Sequence, residues 1–550
     1  MQKRIISHNK NLGKRLTMQS DLLFSIHHLF HKKGFKEINT PILSFPTKEY
    51  GDGEFVVVSK LQPGKFYSLP HSPQLYKQYL LARFPELKAY YQIASNFRPE
   101  IGDNTHAQEF HQIDFEIANL SLDDVRRTIE QICSKAFSLI DIRPTYTVMR
   151  FEDSVCLYGS DSPDLRYSGG EFRNDGKEVY FEIPIRDVLD LQKLKSQLRA
   201  RTGVSMRIGP KSFVFASQKG NLYILGDFRN RLIKNYVLRL HSKWSFVWLI
   251  DLPLFKRDGN GQISTFHHPQ MSPMSHYAFW KAAKSKDINE VLSLRGNGCE
   301  LIVNGMELGG GNVRNNDLKI QKEILNICGV SDTSLRSTFK PLLDMLRSHP
   351  NYKSSGAAVG LDRLMMLLTK SDSLSDNRAF PQDNNGTEYF GGPSNVSMSD
   401  LQELGLDYEH PIITQSRQTA IRLVEANNNF IHDRKHIQNV EQNAVAIAIN
   451  EGVLPDEILI LRLAAHWHDV GRNDWLPREI EPHAEISMKA FREWANTMGM
   501  PNSVITPVEL LIKEHDELSK IEHPDKLLKI LQDGDRLDVI NVERVQRILA

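Results

Sequence analysis

The 550-residue chain is 40% hydrophobic and 25% charged, the balance of an ordinary globular protein, and at roughly 150 residues per domain it is long enough for three or four domains. No apolar stretch approaches the roughly 20 residues needed to cross a bilayer, and Cys133, Cys156, Cys299 and Cys328 never form CxxC, so membrane, collagen-like, disordered and thiolate-zinc classes are excluded. With 68 basic and 67 acidic residues the net charge is +1, which makes no global demand for nucleic acid; the opening MQKRIISHNKNLGKRL lacks the apolar core of a signal peptide, so a cytosolic location is expected.

Residues 20–34 place Leu22, Leu23, Ile26, Leu29 and Phe30 at helical spacing and end at Gly34. Pro41 and Pro46 break an extended stretch, and EFVVVSK reads as a strand. SPQLYKQYLLARF opens with Ser72 and Pro73, a helix start with Ser72 as cap. From Tyr90 to Ile117 the pattern is strand, turn, strand, and QIDFEI alternates as a half-buried antiparallel strand does. Residues from about 145 to 245 differ in composition and read as an insertion. Strands recur at FVWLIDLPLF and CELIVNGMEL; Gly309, Gly310 and Gly311 follow at once, and AAVGLDRLMMLLT is expected to be a helix. YFGGPSNVSMSD, near 390–410, reads as a linker, and everything after it as helical and rich in the chain's 20 histidines.

Three segments carry chemistry together: FRPE at 97–100, ELGGGNVR at 307–314 and GLDR at 360–363. Two isolated arginines and acidic residues beside a triple glycine suit a nucleoside triphosphate held by cationic clamps and metal-binding carboxylates. The glycines would let backbone approach a ligand closely. Neither a P-loop nor GxGxxG is present, which disfavours the usual parallel-sheet nucleotide folds.

The order TPIL, SPQLYKQ, FRPE, QIDFE, GSDSPDLR, IDLPLF, HHPQMSP, NGMELGGGNVR and GLDRLMMLLT closely resembles the catalytic domain of bacterial-type aspartyl-tRNA synthetases, over about residues 14–406. The resemblance implies a class II synthetase fold, an antiparallel sheet flanked by helices, dimeric through a first motif that Pro41 ends. It implies that Arg98 holds the α-phosphate of ATP, that Arg363 sits on the γ-phosphate, that His106 also reaches the triphosphate, and that Glu100 lies near the adenine amino group. Glu300 and Glu307 would bind magnesium with hard oxygen ligands. Glu49 and Gln74 would meet the substrate ammonium. Lys77 and Arg314 would pair with the aspartate side chain, supported by Asp114 and His267; a neutral asparagine would leave both cations poorly paired.

Departures from the family accompany the match. The family carries an anticodon-binding barrel before the catalytic domain, whereas the resemblance here starts near residue 14. The insertion after SPDLR is shortened, and Pro99 stands where an acidic residue is usual. The resemblance thus implies the residues of activation without the part that identifies tRNA, the pattern expected of a synthetase paralogue.

A second chemistry lies in HDRKHIQNV, AAHWHDVG, EPHAEIS, KEHDEL and LQDGDRLD. His436, His468, Asp469, His483, His515 and Asp535 form an H…HD…H…H…D series; imidazole with carboxylate suits divalent transition metals, and a carboxylate can bridge two. The series resembles the HD-domain phosphohydrolases, which implies a manganese or iron site, the extra histidines favouring two ions, and a nucleotide substrate. Asp533 competes with Asp535 as the last ligand, the resemblance favouring Asp535. Arg472 and Lys513 are candidates for phosphate binding, but solvated surface charge is the reading favoured for each.

The resulting expectation is an α+β chain: residues 1–149 and 246–408 form a synthetase catalytic domain, interrupted by an insertion at 150–245 and followed by an all-α HD domain at 413–550. It would activate aspartate with ATP, pass it to tRNA or another acceptor, and hydrolyse a nucleotide. The rival reading is a non-catalytic synthetase-like module that binds tRNA or a nucleotide and regulates the hydrolase; the presence of Arg98, Arg363, Glu300 and Glu307 speaks against it.

Overall fold

A computed structural model describes residues 11–45, 53–59, 61–62, 65–175, 178–200, 203–217, 221–257, 261–336, 338–350, 352–393, 411–427, 432–472, 483–516 and 525–540. The chain divides into two compact units, Met1–Val57 with Tyr67–Gly392, and Val58–Phe66 with Pro393–Ala550. The expected linker falls largely on residues 394–410, outside the described residues.

In the first unit, helix α1 (Leu12–Lys32) buries Leu22, Ile26 and Phe30, one residue per turn. It begins well before Ser20, its first turns carrying Leu12, Leu16 and Met18 among polar residues, and it stops where Gly34 turns to φ +82. The main sheet has eight strands: β1 (Lys36–Glu37), β2 (Ala89–Phe97), β3 (Glu109–Ala118), β4 (Tyr146–Arg150), β5 (Phe246–Ile250), β6 (Gly298–Val303), β7 (Met306–Val313) and β8 (Ser354–Gly360). Their order is β1-β2-β3-β8-β7-β6-β5-β4, antiparallel throughout except at the two edge pairs, β1 with β2 and β4 with β5. The expected β2–β3 pairing holds, in register from Ala89 opposite Ile117 to Phe97 opposite Glu109. Helix α3 (Leu122–Ser138), started by a Ser121–Asp124 capping box, buries Val125, Ile129 and Ile132 in the same core as Ile113, Phe115 and Ile117. Helix α2 (Gln74–Arg83) follows Pro73, and Ser72 Oγ accepts from the Gln74 amide at a long 3.4 Å.

Three expectations change. QIDFEI is buried on both faces rather than one, since its apolar residues meet the helices and its carboxylates meet buried cations. AAVG is the end of β8 rather than helix: its small side chains fit between β3 and β7, and helix α4 (Leu361–Thr369) starts only after Gly360. The triple glycine lies inside β7, a strand that starts directly after a tight Asn304–Gly305 turn with φ of +53 and +76. A Cβ at Gly310 would stand 2.7 Å from the Cys299 carbonyl oxygen, so the strands require glycine there.

Between β4 and β5 the insertion forms its own four-stranded antiparallel sheet around Tyr167, Phe181, Phe215 and Phe228. Tyr146–Arg150, at the start of the stretch that differs in composition, belongs instead to the main sheet.

The second unit is helical among its described residues from 411 onward: α5 (Pro411–Ala426), α6 (Arg434–Asn450), α7 (Pro455–Trp467), α8 (His483–Thr497), α9 (Asn502–Glu514) and α10 (Lys526–Val539). Val440, Ala444, Leu461, Ala464, Trp467, Phe491, Val508, Ile512 and Leu531 form its core. Glu441 on α6 binds Arg417 of α5 and Arg462 and His466 of α7 at 2.7 to 3.0 Å. Burial would raise its carboxyl, but these partners hold it well below the usual carboxylate range.

Candidate active sites

In the first unit a cavity of about 1260 Å³ is lined by Gln74, Lys77, Arg98, Glu100, His106, Asp114, His267, Glu300, Glu307, Arg314 and Arg363, all but one of the residues expected there. Glu49 lies outside the described residues. At one end, period-two alternation puts Asp114 and Glu116 on one face of β3. Lys77, from α2, donates to Asp114 Oδ1 at 2.5 Å. Arg314, just after β7, binds Glu116 through Nε to Oε1 at 3.0 Å and Nη2 to Oε2 at 2.8 Å. Asn312 accepts from Arg314 Nη1 at 2.6 Å, and Ser354 donates to Glu116 at 2.8 Å. All four charged side chains are buried. Burial lowers the Lys77 ammonium and raises the Asp114 carboxyl, each opposed by the other's charge. Burial pushes Glu116 up too, but the guanidinium of Arg314 overrides it and holds the carboxyl below its ordinary value. Glu116 was not singled out from sequence, although its spacing from Asp114 marks the shared face.

His268, rather than His267, meets Arg314: its Nε2 is 2.7 Å from Arg314 Nη1. Burial, then the charge of Arg314, pushes His268 well down, so it stays neutral and accepts. His267 lies instead with the acids, 3.6 Å from Glu300 Oε1. Gln74 donates to Gln270 at 2.8 Å, a second residue the sequence did not mark.

At the other end Arg98 follows β2, its amide bonded to the Gln108 carbonyl at 2.8 Å and its guanidinium 4.9 Å from the Phe110 ring centre. Arg363, in the first turn of α4, donates to the Glu307 carbonyl at 2.8 Å and lies 3.1 Å from His106 Nε2. Asp103 binds His106 Nδ1 at 2.9 Å, which leaves Nε2 as the acceptor facing Arg363. Neighbouring Asp362 accepts from the His111 amide and from Arg378, fixing the start of α4. His267, Glu300 and Glu307 each offer a ligand atom within 4.8 Å of the others. Burial, then the charge of Glu307, holds Glu300 well above the usual carboxylate range, so this pair gains from a hard divalent cation.

In the second unit all six expected ligands converge. Asp469 Oδ2 lies 3.3 Å from His436 Nε2 and 3.4 Å from His468 Nε2, while Oδ1 lies 3.2 Å from His483 Nε2 and 3.3 Å from His515 Nε2. Asp535 Oδ1 is 3.7 Å from His436, whereas Asp533 pairs with Arg536. Asp433 caps α6, accepting from the His436 amide, and so sets where that ring starts.

The outer ring nitrogens are already engaged: His436 Nδ1 with Asp538 at 2.8 Å, His468 Nδ1 with the Ala465 carbonyl at 2.9 Å, and His515 Nδ1 with the Ile512 carbonyl at 2.6 Å. In their neutral forms these rings turn lone pairs inward, and the Nε2 atoms of His436 and His468 stand 3.2 Å apart. Burial pushes His468 down to about 4, its neutral ligand form. Burial also opposes charge on His436, yet the carboxylates of Asp469 and Asp538 raise it to about 9, so this half calls for positive charge. The donor set fits divalent transition ions. His432, Asp516 and Asp538 were missed; Asp538 stands one turn after Asp535, and Asp516 directly follows His515. Arg472 is not a surface charge but is bonded to Asp469 and Asp516, while Lys513 is exposed.

The sequence matches the family described as tRNA synthetases class II (D, K and N) over residues 1–384. An aspartate–tRNA(Asp/Asn) ligase of Hydrogenobaculum sp. (strain Y04AAS1) is 30% identical over 457 residues, covering 71% of this chain and 76% of that protein. That of Legionella pneumophila (strain Corby) is 28% identical over 474 residues, covering 74% and 77%. An aspartate–tRNA ligase of Buchnera aphidicola subsp. Schizaphis graminum (strain Sg) is 28% identical over 463 residues, covering 72% and 77%.

Proposed function

The chain belongs to the class II tRNA synthetases (D, K and N), and we propose that its first unit activates aspartate with ATP. An α-carboxylate oxygen of aspartate attacks the α-phosphorus, the bond to the β-phosphate oxygen breaks, and aspartyl-adenylate and pyrophosphate leave. The observation that carries this reading is the buried quartet of Lys77, Asp114, Glu116 and Arg314 at one end of the cavity, with Arg98 and Arg363 lining the same cavity. Asp114 and Glu116 hold the two cations in place before substrate arrives, so the side-chain carboxylate of aspartate meets preset donors. Gln74 and Glu49 take the ammonium, Arg98 the α-phosphate, Arg363 the γ-phosphate, His106 the triphosphate, and Glu100 the adenine. Glu300 and Glu307 would hold magnesium, which neutralises phosphate charge. The acceptor is tRNA, as in the relatives' names, or another nucleophile; homodimerisation through the first motif and a cytosolic location belong to the same reading. Among the described residues no helix is long and apolar enough to cross a membrane.

For the second unit we propose a metal-dependent phosphohydrolase acting on a nucleotide. His436, His468, Asp469 and Asp535 would form one ligand group, and His483 and His515 a second sharing Asp469. Manganese or iron held there would supply Lewis-acid activation of water. One chain raises the local concentration of one unit's product at the other to the order of millimolar, so the substrate is an adenylated product or by-product of the first unit.

Trapping with hydroxylamine tests the first half: aspartate with ATP and magnesium should yield aspartyl hydroxamate, asparagine should not, and no hydroxamate from aspartate overturns it. The second half is tested by Asp469→Ala given ATP and aspartate. That variant should accumulate an adenylated species that the unsubstituted protein removes, and identical nucleotide products would separate the two activities.

A further inference from the structure

The two halves of the histidine cluster differ in one respect. Asp469 Oδ1, the oxygen facing His483 and His515, also accepts from Arg472 Nε at 2.7 Å. Arg472 Nη2 reaches the Asp516 carboxylate at 2.9 and 3.1 Å, and Asp516 Oδ2 stands 3.2 Å from His483 Nε2. The Oδ2 half is lined by His432, His436, His468 and Asp535, and no other arginine or lysine among the described residues pairs with Asp469. Among the described residues, therefore, one half alone has a fixed positive charge on a lone pair that a metal would use.

Resting on the reading of this unit as a metal site, we propose that its two cation positions are unequal: the His483–His515 position takes Asp516 as an additional ligand and is guarded by Arg472, which a metal ion must displace. A guanidinium never gives up its charge, so it competes with a cation at every accessible pH. It spans the two carboxylates as an ion would, and its departure frees both for one cation: Asp469 Oδ1, Asp516, His483 and His515 then make four donors of the imidazole and carboxylate types that divalent transition ions take. Among the described residues the His436–His468 position has no arginine or lysine bound to its Asp469 oxygen, and it fills first.

The test is a titration with manganese(II) alone, followed by calorimetry and by elemental analysis after gel filtration. It uses the full chain carrying Glu300→Gln, which removes the first unit's carboxylate pair from the count. Two steps are expected, the weaker by about tenfold or more, the scale of one displaced charge-assisted hydrogen bond. Arg472→Met should tighten the weaker step by about the same factor and leave the tighter one unchanged, while Arg472→Lys, with one point charge instead of a two-carboxylate span, should tighten it less. Asp516→Asn should weaken only the weaker step. Two equal steps, or a weaker step that Arg472→Met leaves unchanged or weakens further, overturn the guard. A weaker step untouched by Asp516→Asn overturns the added ligand. No manganese uptake at all overturns the metal-site reading itself, an outcome distinct from the others.

Discussion

Arg314 and Glu116 form a two-point pair, Nε to Oε1 at 3.0 Å and Nη2 to Oε2 at 2.8 Å, with the side chains 1% and 0% exposed. Neither charge is stable there without the other, because a buried ion left unpaired loses hydration without compensation. The pair thus does two jobs: it ties β3 to the end of β7, and it keeps a cation at the wall of the cavity.

Glu116→Ala should destabilise the first unit by about 3–5 kcal/mol, the range for removing one partner of a buried pair. Denaturant unfolding followed by tryptophan fluorescence reads this directly. A midpoint equal to that of the unsubstituted protein would show that the pair does not clamp the strands.

Lys77→Met should act on substrate as well as on the fold, because it leaves the buried Asp114 without its cation. Its loss is expected to cost about 2–5 kcal/mol of aspartate binding, or about 30-fold to several thousand-fold in kcat/KM for aspartate-dependent exchange. Aspartate kinetics within twofold of the unsubstituted protein would remove Lys77 from the amino-acid pocket.

The second unit should show an acid-sensitive fold through Glu441. Its carboxyl is depressed when folded and near 4.5 in ordinary surroundings, so the stability it contributes is present above that value. That stability falls away as the pH drops below 4.5 toward the folded value. Thermal melts in chelator between pH 7 and pH 3 should therefore fall more steeply for the unsubstituted protein than for Glu441→Gln, which starts lower at pH 7. Parallel curves would contradict this.

Asp469 offers one oxygen to each half of the histidine cluster, so Asp469→Ala should lose both metal ions, whereas His483→Ala should keep one. Elemental analysis after reconstitution with manganese measures this. Two ions retained by Asp469→Ala would disprove the bridging role.

The β2–β3 pair was legible through local periodicity, whereas Glu300 and Glu307 and the six expected His and Asp ligands, which lie on segments far apart in the chain, came from resemblance to families in motif order. What escaped depends on contacts between distant segments. His268 is chosen over its neighbour His267 by which ring reaches Arg314, a matter of strand placement. AAVG looked helical because small residues have weak strand preference by themselves; only pairing with β3 and β7 makes them a strand. Arg472 looked like surface charge because Asp516, 44 positions away, is invisible as its partner until α9 packs.

The most direct test is amino-acid-dependent exchange of labelled pyrophosphate into ATP, run with magnesium and each amino acid in turn. Aspartate alone should drive exchange, with asparagine and lysine at background, and Arg98→Ala should abolish the signal. Exchange with another amino acid and none with aspartate, or no exchange with any, would contradict aspartate activation by this fold.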